Sequence, residues 1–316
     1  MMRKIFKLIG LASLSLLGFI ILAGLIFLLL TPAPQPPQGK LVDVGGYKLH
    51  IVGEGEKGNS PTLVIEGGAG LPTEFTYWLN EGLKDRVRVI RYDRAGIGHS
   101  DKCVTPRDPE TIARELHRLL EAAGESPPYI MMGHSLGGPY IRVFTELYPD
   151  EVRGMFFLDA THPDHVVRYN VMKESDVKFK VFLWSIELQA ILSDLGIMSL
   201  VDKVWGTPYR GEGLPEEIND RFKEHLRNGK TFRAFKEEIR YYHTTLKRSG
   251  ELEDFGDLPI RAVSAVSEDP TTRQLAAEKA QNTPKRGTHK EYFELSSNGK
   301  HIQIPGDQTQ LRSLQK

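Results

Sequence analysis

The sequence predicts an α/β fold: a mostly parallel eight-stranded sheet flanked by helices, with a helical cap inserted after the sixth strand. Three observations carry this reading. Apolar runs alternate with helical periodicity between Lys40 and Leu158. In most of them polar residues do not alternate with apolar ones, so both faces of the sheet are expected to be covered. From Asp159 to Leu258 the strand pattern lapses and helical segments take over, before strands return at Ile260.

Ahead of this domain lies an uncharged stretch of 23 residues, Leu8 to Leu30. A helix needs about 20 apolar residues to cross a bilayer, whereas the apolar part of a cleaved signal peptide is about 7–15 long. Thr31-Pro32-Ala33-Pro34 is a poor cleavage site and no cysteine follows for lipidation. Residues 1–31 are therefore expected to be a short cytoplasmic tip and an uncleaved signal anchor. Arg3, Lys4 and Lys7 precede the run, which places the rest of the chain on the extracytoplasmic side. Pro-rich residues 32–39 read as a stiff spacer, and residues 40–316 as the folded domain with its cap at about 165–255.

The strands follow in order. Leu41–Val44 and Tyr47–Val52 flank Gly45-Gly46, a hairpin signature. Thr62–Ile65 and Val87–Tyr92 come next, with a helical segment near Trp78–Lys84 between them. Asp108-Pro109-Glu110 opens a helix with a capping side chain, a first-turn proline and an acid near the positive dipole end; Gly124 closes it. Tyr129–Met132, a helix over Leu136–Tyr148, and Met155–Leu158 complete the first half. Helices are expected at 181–195, 216–228 and 231–247, and the last two strands at Ile260–Val266 and Glu291–Leu295.

Basic and acidic residues balance at 41 each, so no concentrated basic face points to nucleic acid. Cys103 is the only cysteine; it cannot form an intrachain disulfide and reads as a packing residue. His162-Pro163-Asp164-His165 lacks a third ligand at metal spacing, so no metal is expected there.

The chemistry is carried by Gly133-His134-Ser135-Leu136-Gly137, which fits the G-x-S-x-G nucleophile elbow. Its setting between an apolar strand and a helix is the one the motif requires. Ser135 needs a base and an acid to orient that base, and in this arrangement they follow the serine in chain order. His301, in Asn298-Gly299-Lys300-His301, is the only histidine after the expected last strand and is the candidate base, placed in a turn over the sheet. Two backbone amides must hold the oxyanion. Leu136 supplies one, and Gly68, in Glu66-Gly67-Gly68-Ala69-Gly70, the other.

Together with Tyr92-Asp93-Arg94-Ala95-Gly96-Ile97-Gly98-His99-Ser100-Asp101 and Leu158-Asp159-Ala160-Thr161-His162-Pro163, these motifs resemble the α/β-hydrolase family. The resemblance implies the α/β-hydrolase fold and an esterase-like acyl hydrolase with no cofactor. It departs from the family at Glu66-Gly67, where many members have His-Gly, and in its short segment after His301. Two acids compete. Asp159 ends the strand beside the nucleophile strand if the usual order holds, and is preferred. Asp269 is the alternative, one position late for the family's usual turn. The expected substrate is a small lipophilic ester, with an apolar cap region around Trp184, Leu188 and Ile191 either as cap core or as a lipid-facing lid. An aminopeptidase, an amide or thioester hydrolase, and a non-catalytic ligand-binding receptor are the rival readings.

Overall fold

The computed structural model describes residues 2–31, 38–58, 60–168, 171–206, 213–252, 254–266 and 290–305. Its first element is a helix, α1, over Met2–Leu30. It has a mean hydropathy of 2.7 across its most apolar window and is long and apolar enough to cross a membrane. Its side chains are exposed almost throughout; only Gly24 is buried, against the cap at Leu195 and Ile197.

The sheet has eight strands in the order β1-β2-β4-β3-β5-β6-β7-β8. They are β1 (Lys40–Asp43), β2 (Lys48–Glu54), β3 (Thr62–Glu66), β4 (Val89–Asp93), β5 (Tyr129–His134), β6 (Val152–Leu158), β7 (Ile260–Val266) and β8 (Gly299–Pro305). The pairs β1/β2 and β2/β4 are antiparallel and the others parallel. This is the expected architecture, and each element has a local cause. The β1–β2 turn is tied by Asp43 Oδ1, which accepts the Gly45 and Gly46 amides at 2.8 and 3.0 Å. Every residue of β3 and β4 is buried, as continuous apolar runs require of central strands.

The helix α2 (Tyr77–Leu83) follows β3, and α3 (Pro109–Ala123) follows β4. Asp108 caps α3 by accepting the Thr111 amide at 2.9 Å, and Gly124 ends it at φ +73°. The core-facing stripe of α3 is Ile112, Leu116, Leu119 and Leu120, each at most 1% exposed. Each such side chain contributes about 2 kcal/mol of burial. The helix α4 (Gly137–Leu147) follows β5 and is buried from Gly137 to Thr145; among the described helices it is the one packed deepest against the sheet.

Between β6 and β7 the chain is helical among the described residues: α5 (His165–Arg168), α6 (Val177–Asp194), α7 (Ile197–Trp205), α8 (Glu216–Glu224), α9 (Lys230–Arg240) and α10 (Tyr242–Gly250). The single helix expected over 231–247 is broken at Tyr241 into α9 and α10. The helix expected to run to Asn228 passes at Glu224 into a 3₁₀ turn, His225–Arg227. Helix α6 has two apolar faces. Phe179, Ile186 and Ala190 are buried, in a helix packed on α9, whereas Val177, Val181, Trp184, Leu188 and Ile191 are exposed along the opposite face.

The last strand is not where the sequence pattern put it. Glu291–Leu295 does not form a strand; Lys290–Phe293 is a short helix, α11, and β8 begins at Gly299. Tyr292 explains the difference. Its ring stacks on Phe157 at 4.1 Å and its hydroxyl donates to the Thr161 carbonyl, which pins a helical turn against the end of β6. Gly299 then lies against the Phe293 carbonyl, where a Cβ would come within 1.7 Å of the oxygen, so only glycine permits this tight entry into β8.

Candidate active site

Ser135 sits on the turn between β5 and α4 with φ +51°. A serine in the left-handed region is strained, and here the strain lifts its half-buried hydroxyl above the sheet end. The turn is possible because α4 approaches the Glu66–Gly70 loop with no side chain between them: a Cβ on Gly137 would stand 2.2 Å from the Glu66 carbonyl oxygen. Gly68 faces Ser135 directly. A Cβ added there would lie 3.2 Å from the Ser135 Cβ and 3.2 Å from the His134 Nδ1. Leu136 is the N-cap residue of α4, with its side chain buried beside Tyr140 and Leu246. The two segments named for the oxyanion hole, at Gly68 and Leu136, thus flank Ser135.

Asp159 lies at the top of the neighbouring strand, since β5 and β6 are adjacent and His134 pairs with Leu158. It too is strained, at φ +44°, and its amide donates to the Val263 carbonyl at 2.9 Å. The chain then folds back over the elbow. The Thr161 amide donates to the Ser135 carbonyl at 2.9 Å, and the Thr161 hydroxyl stands 3.5 Å from Ser135 Oγ. Thr161 is a neighbour of Ser135 that the sequence did not single out as a site residue. Beyond it, the His162 Nδ1 accepts the Asp164 amide, and His165 pairs with the Tyr242 hydroxyl. These are contacts within the loop and between loop and cap.

His301 is not in a turn beyond the sheet. It lies inside β8, paired with Ala262, which pairs with Phe157, which pairs with Gly133. The His301 backbone is therefore on the rung two residues short of Ser135 and three strands away, about 14 Å at the usual spacing, with the His301 ring near-parallel to Phe293. His301 follows the tight entry at Gly299 by two residues within the same strand. Asp269, the alternative acid, falls outside the described residues.

A buried ionic cluster holds the Glu66–Gly70 loop. Arg94 donates to Glu66 and Glu238 and to the Gly67 and Gly68 carbonyls, at 2.9 and 2.6 Å. Glu238, on α9 of the cap, accepts the Gly70 amide at 2.8 Å. The Gly67 and Gly68 carbonyls are thus engaged by Arg94. The side chains of Arg94, Glu66 and Glu238 are at most 3% exposed. Burial pushes the Glu66 carboxyl up from its ordinary range, against the pull of Arg94 and the Tyr92 hydroxyl. Burial works against the Arg94 charge, but Glu238 and Glu66 outweigh it and hold the guanidinium protonated. Removing the cation from between two buried carboxylates is costly. Arg94→Met is expected to lower the unfolding free energy by about 3–5 kcal/mol in a urea titration of the detergent-solubilised chain; a loss below about 1 kcal/mol contradicts the clamp.

The comparisons with known proteins agree with this architecture. The family model described as "alpha/beta hydrolase fold" matches residues 61–180, the segment from β3 to the start of α6 that carries the Glu66–Gly70 loop and the turn at Ser135. An uncharacterised Bacillus subtilis protein, YbdG, is 29% identical over 147 residues, 46% of this chain and 45% of that protein. A (lyso)-N-acylphosphatidylethanolamine lipase of Bos taurus is 35% identical over 107 residues, 32% of this chain and 30% of the lipase. The chain thus spans less than half the length of these curated relatives. A solved α/β-hydrolase enzyme from a Medee basin deep-sea metagenome superposes with a TM-score of 0.55 at 16% identity, covering 84% of this chain and 89% of that one. Sheet order, elbow and matched segment agree: the chain has the α/β-hydrolase fold.

Proposed function

We propose that this chain is a serine hydrolase that cleaves a lipophilic ester through an acyl-enzyme intermediate, fixed to a membrane by α1. The observation that carries the reading is Ser135 in a left-handed turn with the Gly68 loop packed against its Cβ. In the proposed reaction Ser135 Oγ attacks the ester carbonyl while the base takes its proton. The oxyanion meets the amides of Gly68 and Leu136. Collapse releases the alcohol, which takes the proton from the base, and water hydrolyses the acyl-enzyme by the same steps in reverse order.

His301 is the proposed base, on its place after Ser135 and Asp159 in the chain order. It acts only if the residues around it leave the β7 register and bring the imidazole over the sheet end. Edge position favours this, since β8 is hydrogen-bonded on one side only within the sheet. Asp159 is the proposed acid, on its place at the strand end beside Ser135 and its strained backbone. Asp159→Asn is expected to lower kcat by at least about 10³-fold, as removal of a triad acid does, while Asp269→Asn stays within tenfold. The reverse pattern in the two variants transfers the role to Asp269.

The aminopeptidase reading loses support at Glu66. An aminopeptidase needs an acid free to meet a substrate amine, and Glu66 is buried and paired with Arg94 and Tyr92. The ester preference is supported by the partial similarity to a lipase, and the lipophilic preference by the exposed apolar face of α6. The direct test is a series of p-nitrophenyl esters. A kcat/KM that rises with acyl chain length supports the reading, and a flat or falling series removes the lipophilic part of it.

Membrane attachment on the extracytoplasmic side is proposed from α1 and from Arg3, Lys4 and Lys7 before its apolar run. Protease added to cells with an intact inner membrane is expected to digest the domain. Full protection, or release of the domain into a carbonate wash, contradicts it.

A further inference from the structure

Away from the elbow, three side chains from separate elements meet at the junction of core and cap. Glu74 lies in the 3₁₀ turn Thr73–Thr76 after the oxyanion loop, His99 in the turn after β4, and His225 in the 3₁₀ turn after α8. The Glu74 carboxylate faces both imidazoles: Oε1 is 3.6 Å from His99 Nε2 and Oε2 is 3.3 Å from His225 Nε2. All three donor atoms lie within 4.8 Å of one another. Side-chain exposure is 8% for Glu74 and His225 and 16% for His99.

These distances are long for hydrogen bonds between a carboxylate and imidazoles, which close to about 2.7–2.9 Å when charged. They suit atoms that share an ion. Ligands about 2.0–2.1 Å from a tetrahedral zinc stand about 3.4 Å apart. Two histidines and one carboxylate are also a donor set that zinc takes when it keeps a fourth position for water. A cavity of about 20 Å³, bounded by His50, Glu74 and His99 among others, adjoins the cluster, and that is room for one water. The two cations on its wall are already paired, Arg91 with Glu54 and Arg221 with Glu217.

The supporting shell is preorganised. Asp93, fully buried, accepts the Thr73 amide at 2.7 Å and the His99 amide at 3.0 Å. One carboxylate therefore fixes the backbone beside two of the three donors, and it is itself held by His50 Nδ1 at 2.8 Å. Fixing the segments that carry the ligands is what outer-shell groups do at metal sites.

We propose that Glu74, His99 and His225 bind one divalent ion of the zinc class, with water as the fourth ligand. The ion ties the cap, through His225, to the turn that follows the oxyanion loop. The proposed tie does not depend on Ser135 being a nucleophile. The test uses the full-length, tag-free chain in detergent, stripped with a chelator and titrated with ZnCl₂ against a chromophoric competitor. One equivalent is expected to bind and to raise the thermal unfolding midpoint. His99→Gln and His225→Gln are each expected to lose that equivalent. His117→Gln, at a histidine paired with Glu151 elsewhere on the surface, is expected to keep it. Binding by the parent chain that all three variants retain overturns the assignment, as does no stoichiometric binding by the parent. Should a variant fail to fold, Co²⁺ bound to the parent decides: intense visible bands of a four-coordinate ion support the site, and only the weak bands of an octahedral ion overturn it.

Discussion

Ser135→Ala is expected to lower kcat for a p-nitrophenyl ester by about 10⁶-fold, the scale seen when a triad serine is lost. The residual rate should still exceed that in water, because the amides of Gly68 and Leu136 remain to hold the developing oxyanion. The substitution removes one oxygen from a half-buried site and fills no space. The turn's strain falls on the backbone of residue 135, which alanine keeps, so the urea midpoint should move little. Parallel measurement of turnover and unfolding separates the two effects. Turnover within tenfold of the parent, with a normal midpoint, contradicts Ser135 as nucleophile.

The second large effect concerns the base. His301→Gln is expected to cost at least about 10⁴-fold in kcat, since without a base the serine hydroxyl is a poor nucleophile. His162→Gln is the necessary companion. His162 is buried in the loop that folds over the elbow, one residue from Thr161, and is expected to retain activity within tenfold. If His162→Gln is the inactive variant and His301→Gln the active one, the base belongs to the loop after β6, and β8 has no catalytic role. The pair is informative because β8, as observed, holds His301 on the rung of Gly133 and three strands from Ser135.

Most of the sheet was legible in the sequence because its strands are local signals. The runs at Thr62–Ile65 and Tyr129–Met132 are uninterrupted and apolar, and a central parallel strand needs nothing more. The cap of α3 was legible for the same reason: Asp108 and Gly124 act within four residues of the helix ends. The elbow could be read because its glycines serve a contact within one strand–turn–helix unit. What failed was β8. Glu291–Leu295 and Gly299–Pro305 both carry strand-like side chains, and the choice between them is made by Tyr292 stacking on Phe157, a contact spanning 135 residues of chain. The clamp on the oxyanion loop was equally hidden. Arg94 in isolation reads as a surface charge, and its partner Glu238 is 144 residues away. The cluster of Glu74, His99 and His225 draws on three elements, and no spacing in the sequence links them.

The central claim, that Ser135 is the reactive nucleophile of this chain, is tested most directly by fluorophosphonate labelling followed by mass mapping of the proteolysed protein. A single adduct per chain is expected, on the peptide containing Gly133-His134-Ser135-Leu136-Gly137 and on Ser135 itself. No adduct under conditions that label a control serine esterase, or an adduct on a different residue, contradicts the account.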